Sequence, residues 1–279
     1  MKKLLVLPGA ILGLFLLLMV SCQETEQTGR IIVSVSDEPV PLHLIEGANV
    51  TITKVELRSA SSDEDGDDES PFIVVFEGEH PANLTELRNG ITEELASLEI
   101  PADAYDLVRV HVKDADISLE GYKTFQVNVP SGAQTGVKVF IKPGIILGGG
   151  ETVEVLLDFS IERSFVPLGD WTDPDNIKGF NFKPVIRAAN KSEAGMIKGF
   201  VFAGEEPLGQ AKVFFEMDGE PVSTLTEDDG SYAILGIPAG IYQITAEKEG
   251  YLTPTPSDVE VLSGRVTEKD FVLSELNGT

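Results

Sequence analysis

Apolar and polar residues alternate along most of this 279-residue chain, and this period of two constrains the fold more than any other feature. Side chains of a β-strand point alternately to the two faces of a sheet, so the pattern predicts strands with one buried face. Arg30–Val35, Asn49–Ile52 and Leu107–Val112 follow it closely. Further strands predicted in the first two thirds of the chain are Phe72–Phe76, Thr124–Val129, Val137–Ile141, Val153–Phe159 and Gly179–Ile186.

One segment in this part of the chain breaks the alternation. Its apolar residues, between Ile91 and Leu98, recur three and four positions apart, a spacing typical of an amphipathic helix. We therefore predict an all-β first domain over residues 29–190. It is expected to be an immunoglobulin-like or related β-sandwich that carries one short helix.

A polar stretch at residues 191–196 predicts a linker, because domain boundaries fall in exposed polar segments. Beyond it, the turn-forming residues Asp229-Gly230 and Pro238-Ala239-Gly240 separate short apolar runs. This rhythm predicts a second, smaller β-sandwich over residues 197–274. Its predicted strands are Ile197–Phe202, Lys212–Glu216, Ser231–Leu235, Gly240–Lys248 and Lys269–Leu273.

The N-terminus has the three parts of a secretory signal peptide. A basic start precedes the apolar run Leu4–Val20, and the small residue Ser21 follows. We therefore predict that residues 1–21 are a signal peptide and that the protein is exported. Residues 22–28 are polar and show no apolar periodicity, so they are expected to be a tether.

The single cysteine of the chain, Cys22, comes directly after this segment. Met19-Val20-Ser21-Cys22 resembles the lipobox of bacterial lipoproteins. The resemblance implies that a diacylglyceryl group joins the Cys22 thiol, that cleavage follows Ser21, and that the new amine is acylated. Several acyl chains anchor a protein stably, whereas one chain binds only marginally. Two other interpretations stay open here: an uncleaved membrane anchor, and a small buried hydrophobic residue.

The charge of the chain excludes two classes of partner. Its formal net charge is −25 at pH 7, so nucleic acid and anionic membrane surfaces would be repelled. A lone cysteine also excludes a disulfide within the chain. The apolar core alone must therefore hold the fold together.

One loop combines carboxylates with the only tryptophan of the chain. Asp170, Asp173 and Asp175 lie there beside Trp171 and the turn-forming Pro174. Calcium prefers clustered oxygen ligands, so the three aspartates are a candidate structural calcium site; a turn that needs no ion explains the same residues. Exposed aromatic rings stack on sugars, which makes Trp171 a candidate ligand-binding residue.

No catalytic motif stands out in the sequence. It contains neither a serine nucleophile elbow nor a phosphate-binding loop, and its three histidines do not have zinc-site spacing. On the strand Leu107–Val112, His111 falls on the face opposite the valines and is expected to face solvent. The sequence therefore predicts a protein that is not an enzyme, with no cofactor other than the calcium considered above.

The second domain carries a specific order of residues. Gly199-x-Val201 and Pro207-Leu208-x-x-Ala211-x-Val213 precede the run TEDDGSYAILGIPAGIYQITAEKEGY, which begins at Thr226. This order resembles the carboxypeptidase regulatory-like domain. The resemblance implies a transthyretin-like sandwich, a fold grouped with carbohydrate-binding-like folds and commonly accessory to another domain.

Five segments of the first domain follow one another in the order of a known family: Asn83–Gly90, Ile100–Arg109, Val129–Lys138, Leu157–Phe159 and Phe182–Ile186. They resemble an uncharacterised bacterial lipoprotein family, domain of unknown function 4382, over about residues 29–190. The resemblance implies a family and no activity.

These features predict a lipid-anchored protein of the cell envelope that binds or scaffolds without catalysis. It is expected to be held at the outer membrane and to face the cell surface. Its expected partners are the membrane, through lipid on Cys22, and a glycan or protein ligand. Two alternatives are a carbohydrate-binding module in polysaccharide capture, and a calcium-dependent hydrolase that uses Asp170, Asp173 and Asp175.

Overall fold

The computed structural model describes residues 27–38, 44–60, 72–131, 135–170 and 173–276, and these residues form an all-β protein with two β-sandwiches. The predicted fold class is therefore confirmed. No helix among these residues has the length and apolar character needed to cross a membrane.

The first sandwich contains eleven strands, which we number in chain order. They are β1 Thr28–Glu38, β2 Ile45–Ser59, β3 Phe72–Asn83, β4 Glu93–Pro101, β5 Ala104–Leu119, β6 Thr124–Val127, β7 Val137–Ile146, β8 Thr152–Ser160, β9 Phe165–Pro167, β10 Phe180–Phe182 and β11 Ile186–Asn190. The helical segments that lie wholly within its described residues are α1 Ile161–Ser164 and two 3-10 turns, Leu84–Glu86 and Pro174–Asn176.

Nine of these strands form one curved sheet in the order β3-β2-β5-β7-β11-β8-β1-β4, with β6 also paired to β5. β9 and β10 form a separate hairpin. Alternate residues of the central strands point inward into one hydrophobic core. Val50 and Ile52 of β2, Val110 of β5, and Val33 and Val155 of β1 and β8 are all buried there.

The predicted helix over Ile91–Leu98 is wrong, because Glu93–Pro101 is strand β4, paired antiparallel with β1. The pairing slips by one residue between Val33 and Ser34, which leaves Leu95 as an extra residue of β4. Such a bulge changes which side chains point inward, so Leu95 and Ile100 are both buried although they are five residues apart. The bulge gives this strand the apolar spacing of a helix.

The second sandwich contains ten strands. They are β12 Gly195–Ala203, β13 Glu206–Pro207, β14 Lys212–Met217, β15 Glu220–Leu225, β16 Ser231–Ile237, β17 Gly240–Glu247, β18 Tyr251–Leu252, β19 Ser257–Val261, β20 Val266–Glu268 and β21 Phe271–Glu275. One sheet has the order β13-β12-β21-β18, with β16 and β20 also paired to β12, and the other has the order β15-β14-β17-β19. Their inner faces enclose a separate core that includes Val213, Phe215 and Ile244.

Candidate functional site

One arginine, Arg187, makes polar contacts with both sandwiches. Arg187 lies on β11 of the first sandwich, and its Nη2 donates to Asp158 Oδ2 on β8 at 2.5 Å. The same guanidinium crosses to the second sandwich, where Nη1 donates to the carbonyl of Gly236 at 2.5 Å and Nη2 to that of Leu235 at 2.8 Å. Ion pairing and two backbone acceptors make this contact strong and directional.

Close backbone packing surrounds this contact. Gly236 has a φ of +67°, and a Cβ added there would lie 2.9 Å from the Cβ of Ala189. Any larger residue would therefore suffer both backbone strain and a collision with the first sandwich. The glycine lets β16 of the second sandwich approach β11 closely enough for Arg187 to reach the two carbonyls.

A turn of the first sandwich makes a second contact between the domains. Asn89 and Gly90 both have positive φ values, of 52° and 87°, as an Asn-Gly turn requires. Asn89 donates from Nδ2 to Glu227 Oε1 at 2.6 Å and accepts from the Thr224 hydroxyl at 2.9 Å. The turn thus fixes the edge strand β15 against the first sandwich.

An open cleft of about 420 Å³ lies beside this junction. It is lined by the β7 segment Val137–Phe140 and by the segment Pro184–Ala188, which contains the start of β11. The tip of the β14–β15 hairpin, which includes Met217 and Pro221, closes one end. The volume lies in the range of small-ligand sites in proteins.

The ladder between the neighbouring strands β7 and β11 is short beside this cleft. Among the described residues, Ala188 and Ile141 form the one ladder pair that joins these strands. Pro184 has no N–H to donate, and Val185 donates instead to Ser164 Oγ at 2.9 Å and accepts from the Ser160 amide at 3.0 Å. The predicted single strand Gly179–Ile186 is therefore wrong; this segment interrupts it to give β10 and β11.

The carboxylates that line the cleft are already paired with cations. Lys142 Nζ lies 2.7 Å from Asp218 Oδ2, and Arg163 pairs with Glu220, so both pairs cross between the domains. Asp158 is held by Arg187 as described above. No uncompensated acidic group therefore favours a cationic ligand in the cleft.

A second charged cluster lies on the outer face of the first sandwich, around Glu56 of β2. Directly opposite strand pairs bring Arg109 beside Glu56 and His111 beside Lys54. Glu56 Oε1 lies 2.7 Å from Lys54 Nζ, and Oε2 lies 2.9 Å from His111 Nε2. Burial would raise the pKa of Glu56, but hydrogen bonds from Lys54 and His111 with the charges of Lys54 and Arg109 outweigh it and lower that pKa.

The expectation that His111 faces solvent is wrong. It lies on the face opposite the buried valines as expected, but its side chain is 14% exposed and contacts Glu56. Gly136 approaches so closely that an added Cβ would lie 2.8 Å from His111 Nε2. Phe72 covers Arg109, whose guanidinium lies 3.6 Å from the ring centroid. This face of β5 points away from the core, but Gly136 and Phe72 cover it around His111 and Arg109.

The three candidate calcium ligands lie in one short loop. Asp170 and Asp173 form a β-bridge, and Asp173 accepts a hydrogen bond from the Asn176 side chain. Asp175 accepts from the Tyr122 hydroxyl, which raises the pKa of Tyr122. Within the described parts of the chain, no group of three acidic, histidine or cysteine side chains is placed to hold a metal ion. Calcium binding at Asp170, Asp173 and Asp175 stays a prediction.

Two predicted site residues, Cys22 and Trp171, lie outside the described residues. The structure nevertheless places one further side chain, that of Tyr122, beside the loop that contains Asp173 and Asp175. Tyr122, 44% exposed, lies beside this loop through its bond to Asp175. Nothing in the sequence alone relates positions 122 and 175, because the contact depends on tertiary folding.

Residues from four of the five family-like segments meet at the junction. Asn89-Gly90 contacts β15, Asp158 holds Arg187, and Val137-Lys138 and Pro184-Val185 line the cleft. The fifth segment serves the core: Tyr105 is fully buried and donates to the Pro101 carbonyl at 2.8 Å. The segments that carry the family resemblance therefore include residues of the junction, but the sequence did not predict that they meet, and Arg187 lies outside all five segments.

Comparison with family profiles gives two matches. Residues 28–184 match the family described as "Domain of unknown function (DUF4382)", and residues 196–274 match the carboxypeptidase regulatory-like domain. Their order is the order predicted from the sequence. A comparison with curated proteins found no match.

A comparison with solved structures gives matches of low similarity. The shaft pilin SpaA of Lactobacillus rhamnosus GG is 11% identical, with 91% of this chain and 99% of the pilin covered and a TM-score of 0.28. The minor pilin GBS52 of Streptococcus agalactiae is 11% identical, with 91% and 98% covered and a TM-score of 0.27. The Bacillus anthracis TIE protein is 11% identical with a TM-score of 0.28; 88% of this chain is covered, but only 40% of the TIE protein. At these scores no functional conclusion rests on the likeness.

Proposed function

This chain belongs to the family described as "Domain of unknown function (DUF4382)", followed by a carboxypeptidase regulatory-like domain, and on that basis we propose that it is a lipid-anchored binding or scaffolding protein of the cell envelope. It is exported, carries lipid on Cys22, is held at the outer membrane and acts without catalysis. Its two sandwiches work as one unit that presents the cleft to a glycan or protein ligand.

The observation that carries this proposal is the Arg187 contact. One guanidinium satisfies a carboxylate of the first sandwich and two carbonyls of the second. Two domains joined only by a small polar interface are expected to move relative to each other. The Arg187 guanidinium is mostly buried and is bonded to both domains, and separating them would leave it and Asp158 without their partners, so the contact indicates a fixed arrangement. A fixed arrangement suits a protein that holds a binding surface in place.

The strand order supports a binding unit that points away from the lipid. β1 has eleven residues, so Thr28 and Glu38 lie about 33 Å apart. Cys22 precedes Gln27 by five residues, which span at most about 18 Å. The junction residue Asp158 is paired with Ser36, near the C-terminal end of β1. Lipid on Cys22 therefore attaches at the end of the sandwich remote from the junction.

Metabolic labelling with radioactive palmitate tests the anchor. We expect label in the wild-type protein and none in Cys22→Ala, since the thiol is the proposed attachment point. Ser21→Ala keeps a small residue before the cut and serves as the matched control, which should still be labelled. Equal labelling of wild type and Cys22→Ala would exclude lipidation at this residue.

A second candidate function, glycan capture, is favoured by the position of Tyr122. An exposed aromatic ring beside carboxylates offers stacking and hydrogen bonding together, the two requirements of a sugar site. Tyr122 and Trp171 are the proposed stacking residues, and Asp175 holds the Tyr122 hydroxyl. Glycan arrays probed with wild type, Tyr122→Ala and Trp171→Ala test it. Binding that survives both substitutions would exclude this loop as the sugar site.

A further inference from the structure

An apolar strip crosses the outer face of one sheet of the second sandwich. In the ladder, Phe202 of β12 lies directly between Pro207 of β13 and Val272 of β21. Phe200 lies two residues away on the same face of β12, and its ring stacks on that of Phe202 with 6.0 Å between the centroids. Leu252 of β18, whose ladder partner on β21 lies two residues beyond Val272, extends the strip. These five side chains span four neighbouring strands.

The apolar strip is open to solvent. The exposed fraction of the side chain is 42% for Phe200, 60% for Val272 and 52% for Leu252. Their neighbours along the chain, Val201 and Phe271, point to the inner face and are buried in the core. Single exposed apolar side chains are normal on a protein surface, whereas contiguous ones mark interaction sites. The strip is therefore a candidate docking surface.

The same face of β12 already docks on the first sandwich at its other end. A Cβ added to Gly90 would lie 3.5 Å from Met196 Cε of β12 and 3.5 Å from the Cβ of Ala233 on β16. Met196, Phe200 and Phe202 share one face of β12, because even numbers of residues separate them. The apolar strip therefore continues the interface between the domains beyond the part that the first sandwich covers.

Two aspartates border the apolar strip. Asp229 Oδ1 accepts from the Ser231 hydroxyl at 2.6 Å, and Ser231 lies opposite Phe200 in the ladder between β16 and β12. Asp270 Oδ1 accepts from the Phe200 amide at 2.8 Å. The hydrogen bonds from the Ser231 hydroxyl and amide lower the pKa of Asp229, so this carboxylate keeps its charge. In the part of the chain that the structure describes, neither aspartate forms an ion pair.

We propose that the apolar strip binds a basic, amphipathic segment of a partner protein, which packs apolar side chains on Phe200, Phe202 and Val272 and places Lys or Arg beside Asp229 and Asp270. Apolar contact supplies the burial, and charge complementarity selects the partner. Exposed aromatic rings also attract cationic side chains over their faces. The inference goes beyond the role proposed for the cleft, because the strip lies outside it.

The charge of the chain decides against two other occupants. A symmetrical contact between two copies would bring the same aspartates together, and each copy carries a formal net charge of −25. An anionic membrane surface would be repelled for the same reason. Lys198, on the same face of β12, is paired with Glu268 at 3.2 Å and does not offset the aspartates. This charge therefore favours a partner with basic residues.

The first probe is a phage-displayed random dodecapeptide library, panned at low salt on the full-length protein purified in detergent. We expect enriched sequences that combine Lys or Arg with apolar residues. In fluorescence polarisation, Val272→Lys should weaken binding of the enriched peptide at least about tenfold, because it removes apolar contact and repels a basic segment. Ile241→Lys is the matched control. Ile241 is 70% exposed on the other sheet of the second sandwich, so its substitution should change Kd less than about threefold.

A second measurement separates charge from apolar contact. Asp270→Asn keeps the oxygen that accepts from the Phe200 amide but removes the charge. We expect binding about threefold to tenfold weaker than wild type at low salt, and equal to wild type in about 1 M salt, where charges are screened. Glu216→Gln, which neutralises an exposed carboxylate of the other sheet, is the control and should change Kd less than about twofold. This result does not depend on whether Val272→Lys folds.

Four outcomes would overturn the proposal: no enriched family of peptides, an enriched family without basic residues, equal effects of Val272→Lys and Ile241→Lys, or equal effects of Asp270→Asn and Glu216→Gln. Concentration-dependent dimers that Val272→Lys abolishes would identify the occupant as a second copy of this chain. Glycan-array binding that Val272→Lys abolishes would identify it as a sugar. Either result would also overturn the proposal. Loss of palmitate labelling would remove the anchor but leave these results unchanged, so the two failures are distinguishable.

Discussion

The junction between the sandwiches has two sides, one closed and one open. On the closed side, Arg187 and Asn89 satisfy donors and acceptors of both domains, and Gly236 lets the backbones come close. On the open side, Pro184 lies in the break between β10 and β11, and ion pairs between the domains lie beside the cleft. The difference teaches that largely buried polar contacts join the domains on one side, while more exposed ion pairs lie beside an open cleft on the other.

Removing the Arg187 contact on the closed side should lower the free energy of unfolding more than any other change. Arg187→Met leaves the mostly buried carboxylate of Asp158 and two carbonyls without their donor, so we expect the free energy of unfolding to fall by about 3–5 kcal/mol. Calorimetry should also resolve two transitions in place of one. Arg30→Met is the matched control, because its pair with Glu99 is exposed, and we expect a change of about 0–1 kcal/mol. Equal decreases in the free energy of unfolding of the two variants would show that burial of the Arg187–Asp158 pair does not add to stability.

Substitution of Gly236, where the two domains pack closely, should cause the next largest decrease in the free energy of unfolding. Gly236→Ala combines a positive φ with a collision against Ala189, for an expected loss of about 2–4 kcal/mol in the free energy of unfolding. Gly250 also has a positive φ, of 86°, but an added Cβ there meets nothing within 4 Å. Gly250→Ala should therefore cost about 1 kcal/mol, the part due to the backbone alone. Urea unfolding of both variants separates the two contributions.

The Glu56 cluster predicts a smaller, pH-dependent effect away from the junction. The pKa of Glu56 is lower in the folded protein than in the unfolded chain, so its contribution to stability is present above about pH 4.5 and is lost as pH falls through the folded pKa. Glu56→Gln should cost about 1–2 kcal/mol at pH 7, after allowance for solvent screening of Lys54 and Arg109.

Urea unfolding between pH 3 and pH 7 measures this dependence. Glu79→Gln is the control for Glu56→Gln, since Glu79 forms an exposed pair with Lys113. The difference between wild type and Glu56→Gln should disappear in acid. A difference that stayed constant with pH would show that the carboxylate charge does not stabilise the fold.

The smallest change in the free energy of unfolding is expected from breaking an ion pair on the open side. Lys142→Met removes an exposed cation that pairs across the cleft, and we expect the free energy of unfolding to change by about 0–1 kcal/mol. Calorimetry should still give one transition. A split into two transitions would mean that the exposed pairs, and not Arg187, hold the domains together.

The sequence predicted the class of fold because the period of two is a local signal. Burial of Val108, Val110 and Val112 on one face of β5 follows directly from their spacing. The second sandwich was also predicted, although its strands β13, β15, β18, β19 and β20 were not. Their neighbours decide their pairing, and a single sequence does not contain that information.

The junction could not be predicted, for physical reasons that particular residues illustrate. Arg187 and Gly236 are 49 positions apart, and only the fold brings the guanidinium to the carbonyl. The bulge at Leu95 imitates a helical spacing, and the contact of His111 with Glu56 depends on the register of two strands. Local patterns determine which residues face inward, whereas tertiary register determines which of them meet.

Pulsed electron paramagnetic resonance tests most directly whether the two sandwiches form one fixed unit. Nitroxide labels at Ile146→Cys and Ile241→Cys report across the junction, because both positions are exposed and lie in different sandwiches. Cys22→Ser removes the only native cysteine. We expect one narrow distance distribution, which Arg187→Met broadens. A distribution that is already broad before that substitution would contradict the fixed arrangement.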